Sequence, residues 1–118
     1  VDSFTYQAHD GTTGSAAVLV NLLVTAADDV PTLDQPAAIT MVWTDAPRTV
    51  TLTGISAGGN EPGPVTVTAL SSTPGIAAVS PVTYGGGATA SFTVTPTIGR
   101  QGSATITVAV SDGTQSVT

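Results

Sequence analysis

Eight carboxylates, two arginines and one histidine are the whole of this chain's ionisable side-chain chemistry apart from two tyrosines. The carboxylates are Asp2, Asp10, Asp28, Asp29, Asp34, Asp45, Asp112 and Glu61. Oxygen-rich clusters of this kind suit a hard cation such as Ca²⁺, which takes about six to eight oxygen ligands. The adjacent pair Asp28 and Asp29 is the best seed, and both are candidate ligands of a junction calcium. Neighbours on an extended chain point opposite ways, so only one of the two easily joins a given site. Asp10 and Asp112 each precede a glycine, where an aspartate more often bonds its own backbone to form a turn. His9 has no Cys or second His to share a metal with and reads as a solvated strand end. With one His among many Ser and Asp, no Ser-His-Asp triad can be argued. Glu61, the only Glu, sits in a Gly/Pro loop rather than the apolar cleft that a glycosidase acid needs. The expectation is that the chain is not an enzyme. There is no Lys, so a Lys-Asn or Lys-Asp isopeptide crosslink is excluded.

The formal net charge is −6, with no cysteine. A surface without clustered Lys and Arg cannot release counterions from phosphates, which argues against nucleic acid and against anionic membrane surfaces. The longest apolar run, 16–24, is far short of the roughly 20 residues of a membrane helix. Neither Asn21 nor Asn60 lies in a glycosylation sequon. No motif calls for a cofactor, and calcium is the one candidate ion.

These side chains must be carried by strands. The apolar 41% is mostly Ala and Val, Thr is abundant, and 13 Gly and 8 Pro punctuate the chain. β-branched residues favour extended backbone, and no segment sustains an apolar period of 3.6. A period-2 stretch at 3–8 and a strand at 15–25 that is apolar on both faces, joined through Asp10-Gly11, predict a β-hairpin. Residues 26–31, with Asp28, Asp29 and Pro31, read as a linker. Strands follow over 37–43, 48–55, 65–70, 76–79, 82–84, 88–95 and 103–110. A second Asp-Gly turn at Asp112 starts a last strand at 114–118. Val50, Leu52, Phe92, Val94, Ile106, Val108 and Val110 are predicted to face inward, and Trp43 to be a core or partly buried aromatic. The loops 57–64 and 85–87, with Tyr84 beside the latter, are the alternative recognition surface.

Asp10-Gly11-Thr12 recurs as Asp112-Gly113-Thr114, an offset of 102 residues, and Thr5 then meets Thr107. The first hairpin therefore reads as the last two strands of one repeat, and the remainder as the next repeat in permuted frame. The expected organisation is a hairpin of the preceding repeat at 1–27, a junction at 28–31, and a domain at 32–118 lacking most of its last strand. The strand it lacks is of the type found at 15–25. Ala16, Val18, Leu19, Val20, Leu22, Leu23 and Val24 are thus the candidate assembly strand, covalently continued or donated to a neighbouring subunit.

The run DSFTYQAHDG, the Ala/Val-rich strand after it and DDVP resemble the end of a bacterial cadherin-like or immunoglobulin-like tandem repeat. The segments VTLTGISAGGNEPGPVTVTALSSTPG and GSATITVAVSDG are similar to repeats of large secreted bacterial surface proteins. The resemblance implies an immunoglobulin-like Greek-key β-sandwich preceded by the hairpin, and an extracellular or cell-surface location. It also implies a structural role in end-to-end assembly with copies of the same unit. Calcium at the junction is a further implication, although Asp28-Asp29 followed by Val30-Pro31 departs from the family's usual Asn-Asp or longer acidic run. An adhesin module that binds a glycan or surface protein through its loops is the alternative.

Overall fold

The structure is a computed structural model and describes residues 1–25, 27–59 and 63–118. It is all-β and extended, 94 × 20 × 19 Å with a radius of gyration of 25.4 Å. A compact chain of about 100 residues has a radius near 13 Å. The length comes from a two-stranded hairpin that leads, through a docked linker, into a body of two antiparallel sheets.

The hairpin pairs β1 (Asp2–Tyr6) with β2 (Val18–Leu22), Phe4 opposite Val20 and Tyr6 opposite Val18. His9 pairs with Gly14 next to the turn. Between these pairs, Gln7 and Ala8 face three residues, Ser15, Ala16 and Ala17, so β2 is entered through a bulge. The Ser15 hydroxyl accepts the Ala8 N–H at 3.0 Å, the Ser15 N–H reaches Ala8 O at 2.8 Å, and the Gln7 amide donates to Ser15 O. The bulge is why the regular strand starts at Val18 and not at 15; it stops at Leu22 because β1 begins opposite it at Asp2.

In the body, β3 (Arg48–Leu52) and β7 (Ala90–Pro96) pair antiparallel, Val50 opposite Phe92. The other edge of β7 carries β5 (Ala77–Val79) and β6 (Thr83–Tyr84). Ser80, Pro81 and Val82 separate these two, because Pro81 has no N–H for the ladder. Ser80 bridges the gap: its N–H donates to Thr93 O at 3.0 Å and its hydroxyl accepts the Thr93 N–H at 3.0 Å. The second sheet has β8 (Ile106–Ser111) between β4 (Thr66–Ser71) and β9 (Ser116–Val117). β9 covers only Val110 and Ser111 of β8.

One core joins the sheets. Val50, Leu52, Ile55, Ala90, Phe92, Val94, Val108 and Val110 are buried, with Val67, Ala69 and Ile106 packed against them. This is the inward set that the alternation of β3, β7 and β8 dictates.

Two expectations are corrected. Residues 37–43 form no strand; they run along the body unpaired, and residues 43–45 turn. A strand is defined by its neighbour, and none is present at this position. Trp43 is not a core residue: it is 38% exposed and stands at the side of a groove between the sheets. Its place in the core is taken by Phe92, 4% exposed. Ala26 of the predicted linker, and Asn60, Glu61 and Pro62 of the predicted loop 57–64, lie outside the described residues.

Candidate functional site

The two Asp-Gly turns are the same structure. In the first, Asp10 Oδ1 accepts the N–H groups of Thr12 at 2.9 Å and Thr13 at 2.7 Å, and the Asp10 N–H donates to Thr13 O at 3.2 Å. In the second, Asp112 Oδ1 accepts those of Thr114 and Gln115, each at 2.7 Å, and the Asp112 N–H donates to Gln115 O at 3.3 Å. Gly11 and Gly113 have φ of 95° and 103°, conformations that a side chain would strain. The N–H of Gly11 reaches His9 Nδ1 at 2.9 Å, and that of Gly113 reaches Ser111 Oγ at 3.2 Å. The three bonds of each aspartate to the backbone recur at the 102-residue offset, while the acceptor for the glycine N–H changes from His9 Nδ1 to Ser111 Oγ. Both aspartates therefore act as turn formers, and His9 belongs to the turn.

The same bonds act on charge. Backbone N–H groups, Thr13 foremost and then Thr12, hold the Asp10 carboxyl below the ordinary carboxylate value. Gln115 foremost and then Thr114 do so for Asp112. In each case donors aimed at the ionised oxygen favour the charged form.

The second turn also receives the linker. Thr114 Oγ1 lies within hydrogen-bond reach of both Asp28 Oδ2 and Asp112 Oδ1, the latter at 2.8 Å. The Gln115 amide donates to Asp28 O at 3.0 Å and Asp28 Oδ2 at 3.2 Å. Asp29 turns the other way, onto Gly58 and Gly59. A Cβ on Gly58 would lie 2.7 Å from the carbonyl oxygens of Asp29 and Val30, and one on Gly59 would strike the Asp29 carboxylate. Beyond it, the Thr32 N–H meets Ser56 O at 3.0 Å, its hydroxyl donates to Gly54 O at 2.7 Å, and the Asp34 N–H meets Thr53 O at 3.0 Å. The linker is thus seated on the body along 28–34.

This geometry decides what Asp28 and Asp29 can do together. Their carboxylates point to different surfaces, as alternation on an extended chain requires. Among the described residues no group of three or more His, Cys, Asp or Glu could hold a metal ion. Asp28 instead meets Asp112 through Thr114, partners 86 residues away that its own neighbourhood does not announce. The Gly58-Gly59 seat did have a sequence signal, two adjacent glycines where the backbone must be approached closely.

The predicted assembly strand lies open. Val18 is 46% exposed, Leu19 58%, Leu22 45%, Leu23 74% and Val24 82%. Val18, Leu19, Val20 and Leu22 lie in β2, Ala16 in the bulge, and Leu23 and Val24 past the strand's end. With Phe4 and Tyr6 also more than half exposed, the hairpin presents an apolar face without its own opposing sheet.

The body carries a groove of about 1030 Å³ between its sheets. Val50, Phe92 and Val94, Ala104, Ile106 and Val108, and the 36–43 segment line it, together with polar residues that include Arg100 and Gln101. A second hollow, about 460 Å³ and more open, lies where Tyr84 and 85–87 meet Ile55, Ala57 and 63–65. No family model, curated protein or solved structure matches this chain.

Proposed function

We propose that this chain is an extracellular structural repeat, a length-building unit of a bacterial surface filament or stalk. In this reading the body is an immunoglobulin-like sandwich, the hairpin is the closing pair of strands of the preceding unit, and units join head to tail. The observation that carries it is the recurrence of one turn, with the same aspartate-to-backbone bonds, at residues 10–13 and 112–115. The seated linker supports it as well, because a joint held at Asp28, Asp29 and Thr32 sets the direction in which a neighbour follows. Calcium at the junction would compete with Thr114 and Gln115 for Asp28, so the role does not rest on the ion.

The test is the mass of the native material on a denaturing gel, beside electron micrographs of the same sample. Filaments with a band near 11.6 kDa mean separate subunits. Filaments with one very large band mean a covalent tandem array. Isolated particles without filaments refute the reading. A second reading, an adhesin module, is favoured by the hollow beside Tyr84 alone. A Tyr84→Ala variant that loses glycan or cell-surface binding shown by the wild type would establish it.

A further inference from the structure

We propose that Asp10-Gly11 is a self-modifying site, where His9 catalyses closure of the Asp10 side chain onto the Gly11 backbone nitrogen, and that the matching turn at Asp112-Gly113 is guarded against this reaction. The product is a succinimide, which water opens to aspartate or to its β-linked isomer, isoaspartate. This chemistry is independent of how units join.

The first turn holds the parts of the reaction in place. Gly11 has no side chain to keep its amide nitrogen away from the carboxyl group of the residue before it. Its N–H donates to His9 Nδ1 at 2.9 Å, within the reach of a general base. A ring nitrogen that accepts this bond carries no proton, so the neutral imidazole aims its lone pair at the proton to be removed. Asp10 Oδ1 meets two backbone N–H donors, Thr12 at 2.9 Å and Thr13 at 2.7 Å, the geometry of an oxyanion hole. Asp10 itself is exposed to water. The step runs from the small fraction of Asp10 that is protonated. The Gly11 proton passes to His9 Nδ1 as the Gly11 N–Asp10 Cγ bond forms, and the charge that develops on Oδ1 is met by the N–H groups of Thr12 and Thr13. The imidazolium returns the proton to the Oδ2 hydroxyl, the Cγ–Oδ2 bond breaks, and Oδ2 leaves as water. One water is lost on closure and one is taken up when the ring opens, with no change of oxidation state. Opening at the former main-chain carbonyl routes the backbone through the Asp10 side chain, one carbon longer at the tip of the hairpin.

The second turn lacks two of these parts. Ser111 Oγ stands where His9 Nδ1 does, accepting the Gly113 N–H at 3.2 Å, and a hydroxyl is no base at neutral pH. Asp112 Oδ2 is buried and has no hydrogen-bond partner among the described residues, so the oxygen that must leave as water has no solvent beside it. The Thr114 hydroxyl, within reach of both Asp112 Oδ1 and Asp28 Oδ2, ties this turn to the linker as well. The backbone donors are common to both turns, and in both they favour the charged carboxylate, which cannot lose an oxygen as water. That slows the two turns alike. What distinguishes the first is the imidazole and the open carboxyl group.

The test ages the intact chain at neutral pH in water enriched in the heavy oxygen isotope and then cuts it in ordinary water. With no Lys in the chain, cleavage after Arg48 and Arg100 yields 1–48, 49–100 and 101–118, which separates the two turns. Each ring opening leaves one heavy oxygen on the aspartate, and fragment ions locate it. Label is expected to build up at Asp10 well ahead of Asp112. A general base contributes about 10²–10⁴ in rate, so His9→Ser, which copies Ser111 into the first turn, should cut labelling at Asp10 by roughly tenfold or more. His9→Gln can accept the Gly11 N–H without taking its proton and should lose as much, so a fall in both variants reports the base and not a loosened turn. Label at Asp112 should be the same in all three chains. No label at Asp10, equal label in the two turns, or labelling at Asp10 that survives in either variant overturns the proposal.

Discussion

Replacing Gly58 by Ala should release the linker and leave the two sheets of the body intact. Gly58 has φ of 101°, outside the range that residues with a Cβ adopt at ease. The added methyl would also lie 2.7 Å from the carbonyl oxygens of Asp29 and Val30, which are backbone and cannot swing aside. A strained φ of this kind costs about 1–3 kcal/mol. The linker's attachments beyond it are a few hydrogen bonds, each worth about 0.5–1.5 kcal/mol net. Strain and docking are of the same order, so the cheapest relief is for 28–34 to lift. A loss of about 1–3 kcal/mol multiplies the undocked fraction by roughly 5–150. Amide hydrogen exchange reads this directly at Thr32 and Asp34, whose N–H groups donate to Ser56 O and Thr53 O. Exchange there should quicken by that factor in G58A, while amides of β7 and β8 keep their protection. Gly75→Ala is the control, since nothing lies within 4 Å of a Cβ there and its φ is not positive. Equal exchange at Thr32 and Asp34 in wild type and G58A would refute the reasoning that close backbone approach at Gly58 seats the linker.

Leu52 is completely buried, so Leu52→Ala should cost about 2–5 kcal/mol in a denaturant titration, whereas Leu70→Ala, at a site 70% exposed, should be near neutral. Asp112 has a carboxyl pKa lowered below its ordinary 3.8, so its contribution is present above that value and lost as pH falls through the folded one. Asp112→Asn keeps an acceptor oxygen but not the charge, and its thermal midpoint should therefore fall less steeply than wild type on acidification below about pH 5. Parallel pH profiles would contradict this. Asp28 already accepts hydrogen bonds from Gln115 and its partner Asp29 faces away, so a chelator should leave the thermal midpoint unchanged. A drop of several degrees that calcium restores would place an ion at the junction.

What the sequence made legible is what local chemistry determines. The alternation in β3, β7 and β8 named Val50, Leu52, Phe92, Val94, Val108 and Val110 as inward, because a side-chain period of two leaves little choice. The Asp-Gly turns were readable because Asp10 and Asp112 bond amides two and three residues on. The failures are non-local. Residues 37–43 have a strand's composition, but extended backbone becomes a strand only beside another one, and they border the open groove instead. Trp43 was expected in the core, or partly buried, because an immunoglobulin-like sandwich buries one large aromatic, a rule that does not say which residue wins the central position. The bulge at 15–17 shortened the start of β2, and nothing in the continuous apolar run of 16–20 marks it. The linker's seat joins residues 29 and 59, and its clasp joins 28 and 114, distances over which composition carries no address.

The break between β5 and β6 bears on how crowded copies behave. That side of the β7 sheet offers three residues, then Pro81, then two more, with the Ser80 hydroxyl already turned inward to Thr93. An approaching strand would find no uninterrupted row of donors and acceptors to match. Sideways annealing of sheets is how dense β-proteins precipitate, and here that flank is blunted. A chain with a net charge of −6 and a broken flank resists that annealing when copies crowd together.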